Sequence, residues 1–253
     1  MVSEFLRAVT RRRVNERLGQ KDLNEWILAL VNLEGQERIL DVACGDGKQL
    51  MAYAKCLDKT VTAVGLDISS EALQELEKEA ARFRWPVRLV AGPMEDILSL
   101  LPERKYYDLV SCCYGLYYSH LPAKTLHDFK ELLKADGRLI IVGPDHNNNS
   151  ELYTLLKSFK PLPNKVETVN RFMREVAIPE CSKLFVELRC SFFENPVVFP
   201  TVESLLEYWR STDVFNPEIE DDLAEVLLQD FQAKGNFTIT KRAIGVLAYQ
   251  PTP

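Results

Sequence analysis

Between Arg38 and Val142 short β-rich runs alternate with longer helical stretches, and this alternation leaves the chain few ways to fold. The first run is Arg38–Val42, with a helical stretch after it from about Lys48 to Asp58. The second is Thr60–Leu66, ended by Asp67. Ser70–Arg84 then reads as a helix, with Leu73, Leu76 and Ala80 on its apolar face and Ser69 or Ser70 as its cap. Val87–Val90, Asp108–Cys113 and Arg138–Val142 are the third, fourth and fifth runs. A helix around Thr125 to Leu133 precedes the fifth and ends at Ala135-Asp136-Gly137. Such alternation gives βαβ units, and so a parallel sheet covered on both faces through right-handed crossovers.

Open sheets of this kind bind ligands beyond the carboxyl ends of their strands. Attention therefore falls on the loops at 43–47, 67–69, 92–96, 112–120 and 143–150. The first contains Asp41-Val42-Ala43-Cys44-Gly45-Asp46-Gly47, where strand gives way to helix. Gly45 and Gly47 let the backbone approach a ligand, and the following helix points its partly positive end at it. Asp67 lies 20 residues after Gly47, the spacing of a carboxylate that accepts ribose hydroxyls. A dinucleotide site wants a third small residue where this chain has Leu50, which counts against NAD and FAD. An acid followed by small-x-Gly-x-Gly counts towards S-adenosylmethionine.

Composition narrows the partners. The 253 residues carry a net charge of -6, which does not attract nucleic acid or anionic membranes. No run of 18 apolar residues spans a membrane, and the N-terminus lacks the features of a secretory signal. Cys44, Cys56, Cys112, Cys113, Cys181 and Cys190 form no C-x-x-C pair and no zinc-like cluster with histidine. They read as thiols of a reducing, cytoplasmic compartment, and no metal is expected.

The segment ERILDVACGDGKQL resembles the first signature of the class I S-adenosylmethionine-dependent methyltransferases. VTAVGLDISSEAL resembles the second, VRLVAGPMED the third, and YYDLVSCCYGLYYSHL with ELLKADGRLIIV the fourth and fifth, so the likeness covers 37–142 in the family's order. It implies an α/β fold with a doubly wound, mostly parallel, seven-stranded Rossmann-like sheet, in which Phe237–Tyr249 is the antiparallel last strand. An extended stretch lies near Lys183–Phe193. One domain is expected: a helical cap over 1–37, a cofactor-binding core over 38–149, a lid or substrate-binding insertion over 150–235, and the final strand in 236–253.

Carried over by position, the resemblance sets Ala43, Gly45 and Gly47 along the cofactor's methionine part, with Asp41 holding that loop. Asp67 would hold the ribose hydroxyls and Ile68 would pack on the adenine, with Met94 on its other face. Cys112 would offer its backbone carbonyl to the ammonium. Where relatives often have an aspartate before the Met94 position, this chain has Pro93, so Glu95, Asp96 or water takes the adenine amino group. Glu95 and Asp96 equally suit a helix start.

Methyl transfer from a sulfonium needs alignment and exclusion of water, and a base only where a proton must leave. His120 and His146 follow the fourth and fifth runs and are the candidate bases, with Asp145 beside His146 as a group that raises its basicity. Tyr117, Tyr118, Asn147 and Trp209 are candidate substrate contacts, and Tyr114 could join the aromatic wall. The arginines at 7, 11, 12, 13 and 17 form either a solvated helix face or a lid contacting an anionic acceptor. The sequence thus points to methylation of an oxygen or nitrogen on a small molecule, by a monomer or homodimer. The alternatives are a protein or tRNA acceptor, or a cofactor-binding subunit without catalysis.

Overall fold

The computed structural model describes residues 4–58 and 60–252; Met1–Ser3 of the expected cap and Pro253 of the final segment lie outside the described residues. Two helices come first, α1 (Glu4–Leu18) and α2 (Leu23–Val31). The alternating region follows as β1 (Ile39–Val42), α3 (Lys48–Ala54), β2 (Ala63–Asp67), α4 (Ser70–Phe83), β3 (Val87–Ala91), α5 (Ile97–Leu100), β4 (Tyr107–Cys113), α6 (Pro122–Leu132) and β5 (Leu133–Pro144). Then come α7 (Ser150–Lys157), α8 (Asn164–Phe172), α9 (Ile178–Leu184), β6 (Phe185–Phe199), α10 (Val202–Arg210), α11 (Glu220–Lys234) and β7 (Phe237–Pro251).

The strands form one seven-stranded sheet in the order β3-β2-β1-β4-β5-β7-β6. β1 pairs in parallel with β2 and β4, β2 with β3, and β4 with β5, whereas β7 runs antiparallel to β5 with Ile141 opposite Val246. β1 is buried along its whole length, as a strand covered on both faces must be. The chain leaves β1 for β2 on one side and reaches β4 on the other, so strand order reverses between β1 and β4. A crevice opens at such a switch point, outside the strands' carboxyl ends.

Local chemistry sets several boundaries. Ser69 caps α4, its Oγ accepting from the Ala72 N–H at 3.2 Å, and Arg84 closes it in a left-handed conformation. α6 starts at Pro122, three residues before the expected Thr125, because proline suits a helix's first turn. Ala135-Asp136-Gly137, expected to end that helix, lies inside β5, where the register with β4 shifts between Tyr107 and Leu109. These residues fall in the bulge between Leu133, opposite Tyr107, and Arg138, opposite Leu109, so their turn-like composition serves an irregularity inside the strand.

The chain divides into two compact units. The sheet unit comprises Leu23–Asp145, Arg171–Phe192 and Ala243–Pro253, and the helical unit Met1–Asp22, His146–Asn170 and Phe193–Arg242. Each has its own core. That of the sheet unit gathers Leu40, Val110, Phe129, Leu139, Ile141 and Val246. That of the helical unit is built on Leu152, Phe199, Leu205, Trp209, Leu223 and Ile239. Among the described residues no helix is long and apolar enough to cross a membrane.

Trp209 is fully buried, its indole N–H donating to the Val214 carbonyl at 3.2 Å and its ring 4.9 Å from that of Phe215. It fills a core instead of facing a substrate, which corrects its expected role: the apolar period of α10 turns it inward. Trp209→Ala should therefore destabilise the protein by about 3–5 kcal/mol. Denaturant unfolding with and without the substitution measures this, and a change below about 1 kcal/mol would contradict a core role.

Candidate functional site

The loop after β1 and the end of β2 are locked together by one carboxylate. Asp67 Oδ2 accepts from the Gly45 N–H and Oδ1 from the Ser69 N–H, both at 2.8 Å. The Cys44 N–H donates to the Leu66 carbonyl at 3.1 Å, and the Gly47 N–H to the Cys44 carbonyl at 2.9 Å. To make this turn, Ala43, Gly45 and Gly47 all take left-handed φ angles of 55°, 55° and 77°. Alanine tolerates this at a penalty of about 1 kcal/mol or more.

The two loop glycines have different reasons to be there. A side chain at Gly47 would bring Cβ to 2.1 Å from Leu76 Cδ1, so the packing of α4 demands glycine. A side chain at Gly45 would meet nothing within 4 Å. At Gly45 the loop backbone thus faces open space, and only its φ of 55° favours glycine there. Across the switch point, a side chain at Gly115 would sit 2.4 Å from Ala43 Cβ, and the Cys112 thiol accepts from the Gly115 and Leu116 N–H groups. Gly115 lets the loop after β4 lie on the loop after β1. It was missed in the sequence, where Tyr-Gly after a strand reads as an ordinary turn.

Beneath the loop lies a polar cluster. Asp41 is buried, with Ser111 as its hydrogen-bond partner, and Ser111 Oγ is 3.1 Å from the Tyr53 hydroxyl. Burial, against the Ser111 bond and with some help from Asp67, pushes the Asp41 carboxyl up to about 7. Burial also raises the thiols of Cys44, Cys112 and Cys113, keeping them unreactive.

On the next loop Ile68 is 77% exposed, an unusual state for a large apolar side chain beside a carboxylate. Met94 opens a short 3₁₀ turn and is half-buried against the sheet unit's core. Glu95 Oε1 accepts from Ser119 Oγ at 2.7 Å and from the His120 N–H at 2.9 Å. These bonds outweigh the burial that would raise its carboxyl, and leave it below the ordinary carboxylate range. Glu95 thus fastens the loop after β4 to the loop after β3.

His120 is exposed at the end of that loop, while Tyr117 and Tyr118 stack with centroids 4.6 Å apart and Tyr118 is 45% exposed. Tyr117 also meets Phe172 edge-on at 6.3 Å. His120 and the tyrosines belong to the sheet unit, whereas exposed His146 and Asn147 begin a segment of the helical unit. Asp145, the expected partner of His146, is gripped by Arg174 with two bonds, Nε to Oδ1 at 2.6 Å and Nη2 to Oδ2 at 2.9 Å. Asn147 and Asn149 adopt left-handed φ, and the backbone carbonyl of Asn147 and the side chains of Asn148 and Asn149 bond Arg242 and Lys241 of β7, which builds a turn. Among the described residues no group of three metal-ligating side chains exists.

The Asp41 shift has a measurable consequence. A carboxyl raised in the folded state adds stability where it is protonated in both states, and that contribution is lost as pH rises from about 4 through about 7. Asp41→Asn should therefore stabilise the protein by roughly 2–4 kcal/mol at pH 8, with the gain shrinking towards pH 4. Urea denaturation at the two pH values tests this; an equal effect at both would show that Asp41 does not titrate in this range.

Comparison with known proteins completes the description. Residues 33–193 match the family model described as a methyltransferase domain. A "Ubiquinone biosynthesis O-methyltransferase" of Alkalilimnicola ehrlichii is 28% identical over 148 residues, 57% of this chain and 58% of that protein. The yeast "Methyltransferase OMS1, mitochondrial" is 29% identical over 123 residues, 42% of this chain and 25% of that one. The chain thus spans about half the length, or less, of these curated relatives. Among solved structures, a SAM dependent methyltransferase from Aquifex aeolicus superposes with a TM-score of 0.58 at 12% identity, covering 99% of this chain and all of the other.

Proposed function

The chain belongs to the class I S-adenosylmethionine-dependent methyltransferases, and we propose that it moves a methyl group from that cofactor to an oxygen or nitrogen of a small molecule. The observation that carries this reading is the open direction at Gly45, bonded to Asp67 at the sheet's switch point. Ala43–Gly45 would hold the methionine part, and Asp67, whose carboxylate has lone pairs beyond the two already used, would accept from the ribose hydroxyls. Ile68 and Met94, whose apolar surfaces suit a flat heterocycle, would hold the adenine. The Cys112 carbonyl would accept from the ammonium. The activity named for the Alkalilimnicola relative supports oxygen as the acceptor atom. Six free cysteines support a reducing setting such as the cytoplasm.

The cofactor supplies a methyl already made electrophilic by its sulfonium. The loops after β1 and β4, held against each other at Ala43 and Gly115, fix where that methyl points. Tyr117 and Tyr118 present an aromatic wall, and His120 or His146 accepts a proton from an acceptor that must lose one.

Two experiments follow. Calorimetry should show S-adenosylmethionine and S-adenosylhomocysteine binding and NAD not binding. Asp67→Ala should weaken the former by about 1.5–3 kcal/mol, the value of a charged acceptor facing hydroxyl donors. Unchanged affinity would remove Asp67 from the ribose site. Replacing His120 or His146 with alanine should lower kcat roughly 10²-fold for whichever is the base, with cofactor affinity intact. Full turnover in both variants would mean that alignment alone drives the transfer.

A further inference from the structure

We propose that β6 pairs along its outer edge with the β6 of a second copy of this chain, antiparallel and centred on Leu188, so that two sheets join into one. β6 lies at the edge of the sheet, with β7 as its neighbour on the inner side. Its outer side is treated in two ways. Towards the strand's end the chain covers it. Val197 bridges Gly19, the Gln20 N–H donates to the Pro196 carbonyl at 3.2 Å, and Asn195 Oδ1 accepts from the Gln20 and Lys21 N–H groups at 2.8 and 2.9 Å. From Val186 to Phe192, among the described residues, no backbone group bonds anything beyond the sheet ladder.

An open edge invites another strand, and proteins blunt such edges with proline, lysine or a short strand. Val186–Phe192 contains neither proline nor lysine and belongs to a strand of 15 residues. It exposes apolar side chains instead: Val186 is 69% exposed and Phe192 59%. Side chains alternate along a strand. Leu188 packs against the sheet unit's core, which sets Val186, Cys190 and Phe192 on that face, with the Arg174 guanidinium 5.3 Å from the Phe192 ring. Glu187 and Arg189 share the other face. There Arg189 Nε donates to Glu187 Oε1 at 2.7 Å, and its guanidinium lies 5.0 Å from the Tyr249 ring of β7. Both charged groups still reach solvent.

Two identical strands pairing about a two-fold axis match one sequence with its own reverse, so the residues select the register. With the centre on Leu188, Glu187 faces the partner's Arg189, Arg189 faces the partner's Glu187, and Val186 faces the partner's Cys190. Each charge meets its opposite and each apolar group meets another. A centre on Glu187 or Arg189 sets like charges face to face. A centre on Cys190 sets Val186 against the partner's Glu194 and Glu187 against the partner's Phe193. This self-complementarity is what selects a second copy as the occupant. The contact closes at two chains, because it uses the open stretch of both. It does not rest on the cofactor reading.

A contact confined to Val186–Phe192 is small, so association has to be followed across a wide range of concentration. Sedimentation of the full chain under reducing conditions, from micromolar to millimolar protein, should show a monomer–dimer equilibrium. Glu187→Arg should weaken the dimer at least about tenfold, because arginines then face each other, and adding Arg189→Glu should restore it. Thiols read the register. With Cys56→Ser removing the other exposed thiol, Val186→Cys should give a covalent dimer on mild oxidation, through the partner's Cys190, and Cys190→Ser should abolish it. A monomeric mass throughout, a dimer as tight in Glu187→Arg as in the natural chain, or a covalent dimer formed through Cys190 without Val186→Cys, overturns the proposal.

Discussion

Asp67 is the fastening on which the site depends. Its carboxylate holds both the Gly45 and the Ser69 amide, so one residue fixes the turn after β1 and the start of α4 together. Without that hold, three left-handed excursions at alternate positions, 43, 45 and 47, would have no reason to persist. A carboxylate suits this post because it accepts several donors at once.

The second acid, Asp41, works against stability. It sits buried near Asp67, and both burial and that neighbour oppose its charge. Proteins keep such groups where a site needs polarity that a core would not choose. The Ser111 hydroxyl satisfies part of its hydrogen-bonding demand and is itself paired with the Tyr53 hydroxyl.

Much of this was legible in the residues. The βαβ alternation has a strong period, and the Asp41–Gly47 loop with Asp67 carries its meaning in spacing alone, so the parallel part of the sheet and the loop's position were readable. What failed was anything decided by contacts distant in sequence. Trp209 looked like a cavity wall because aromatic residues near insertions often are, but α10 turns it inward. Adjacency brought out His146 beside Asp145 but gave no sign of Arg174, 29 residues on, which bonds that carboxylate. Gly115 carried no visible sign, since its reason is a close approach to Ala43, 72 residues away.

The strand order also dictates a timetable for biosynthesis. β6 occupies the sheet's edge and neighbours only β7, yet it is made 37 residues before β7 begins. As the chain leaves the ribosome, each of β2 to β5 finds a neighbour among the strands already made, but β6 must wait for the last strand to insert between it and β5. The helical unit waits too, because its segments run from the first helix to Arg242. Nascent chains truncated before β7 would carry an unpaired strand of fifteen residues and an exposed edge on β5, a surface that chaperones bind and that aggregation seeks.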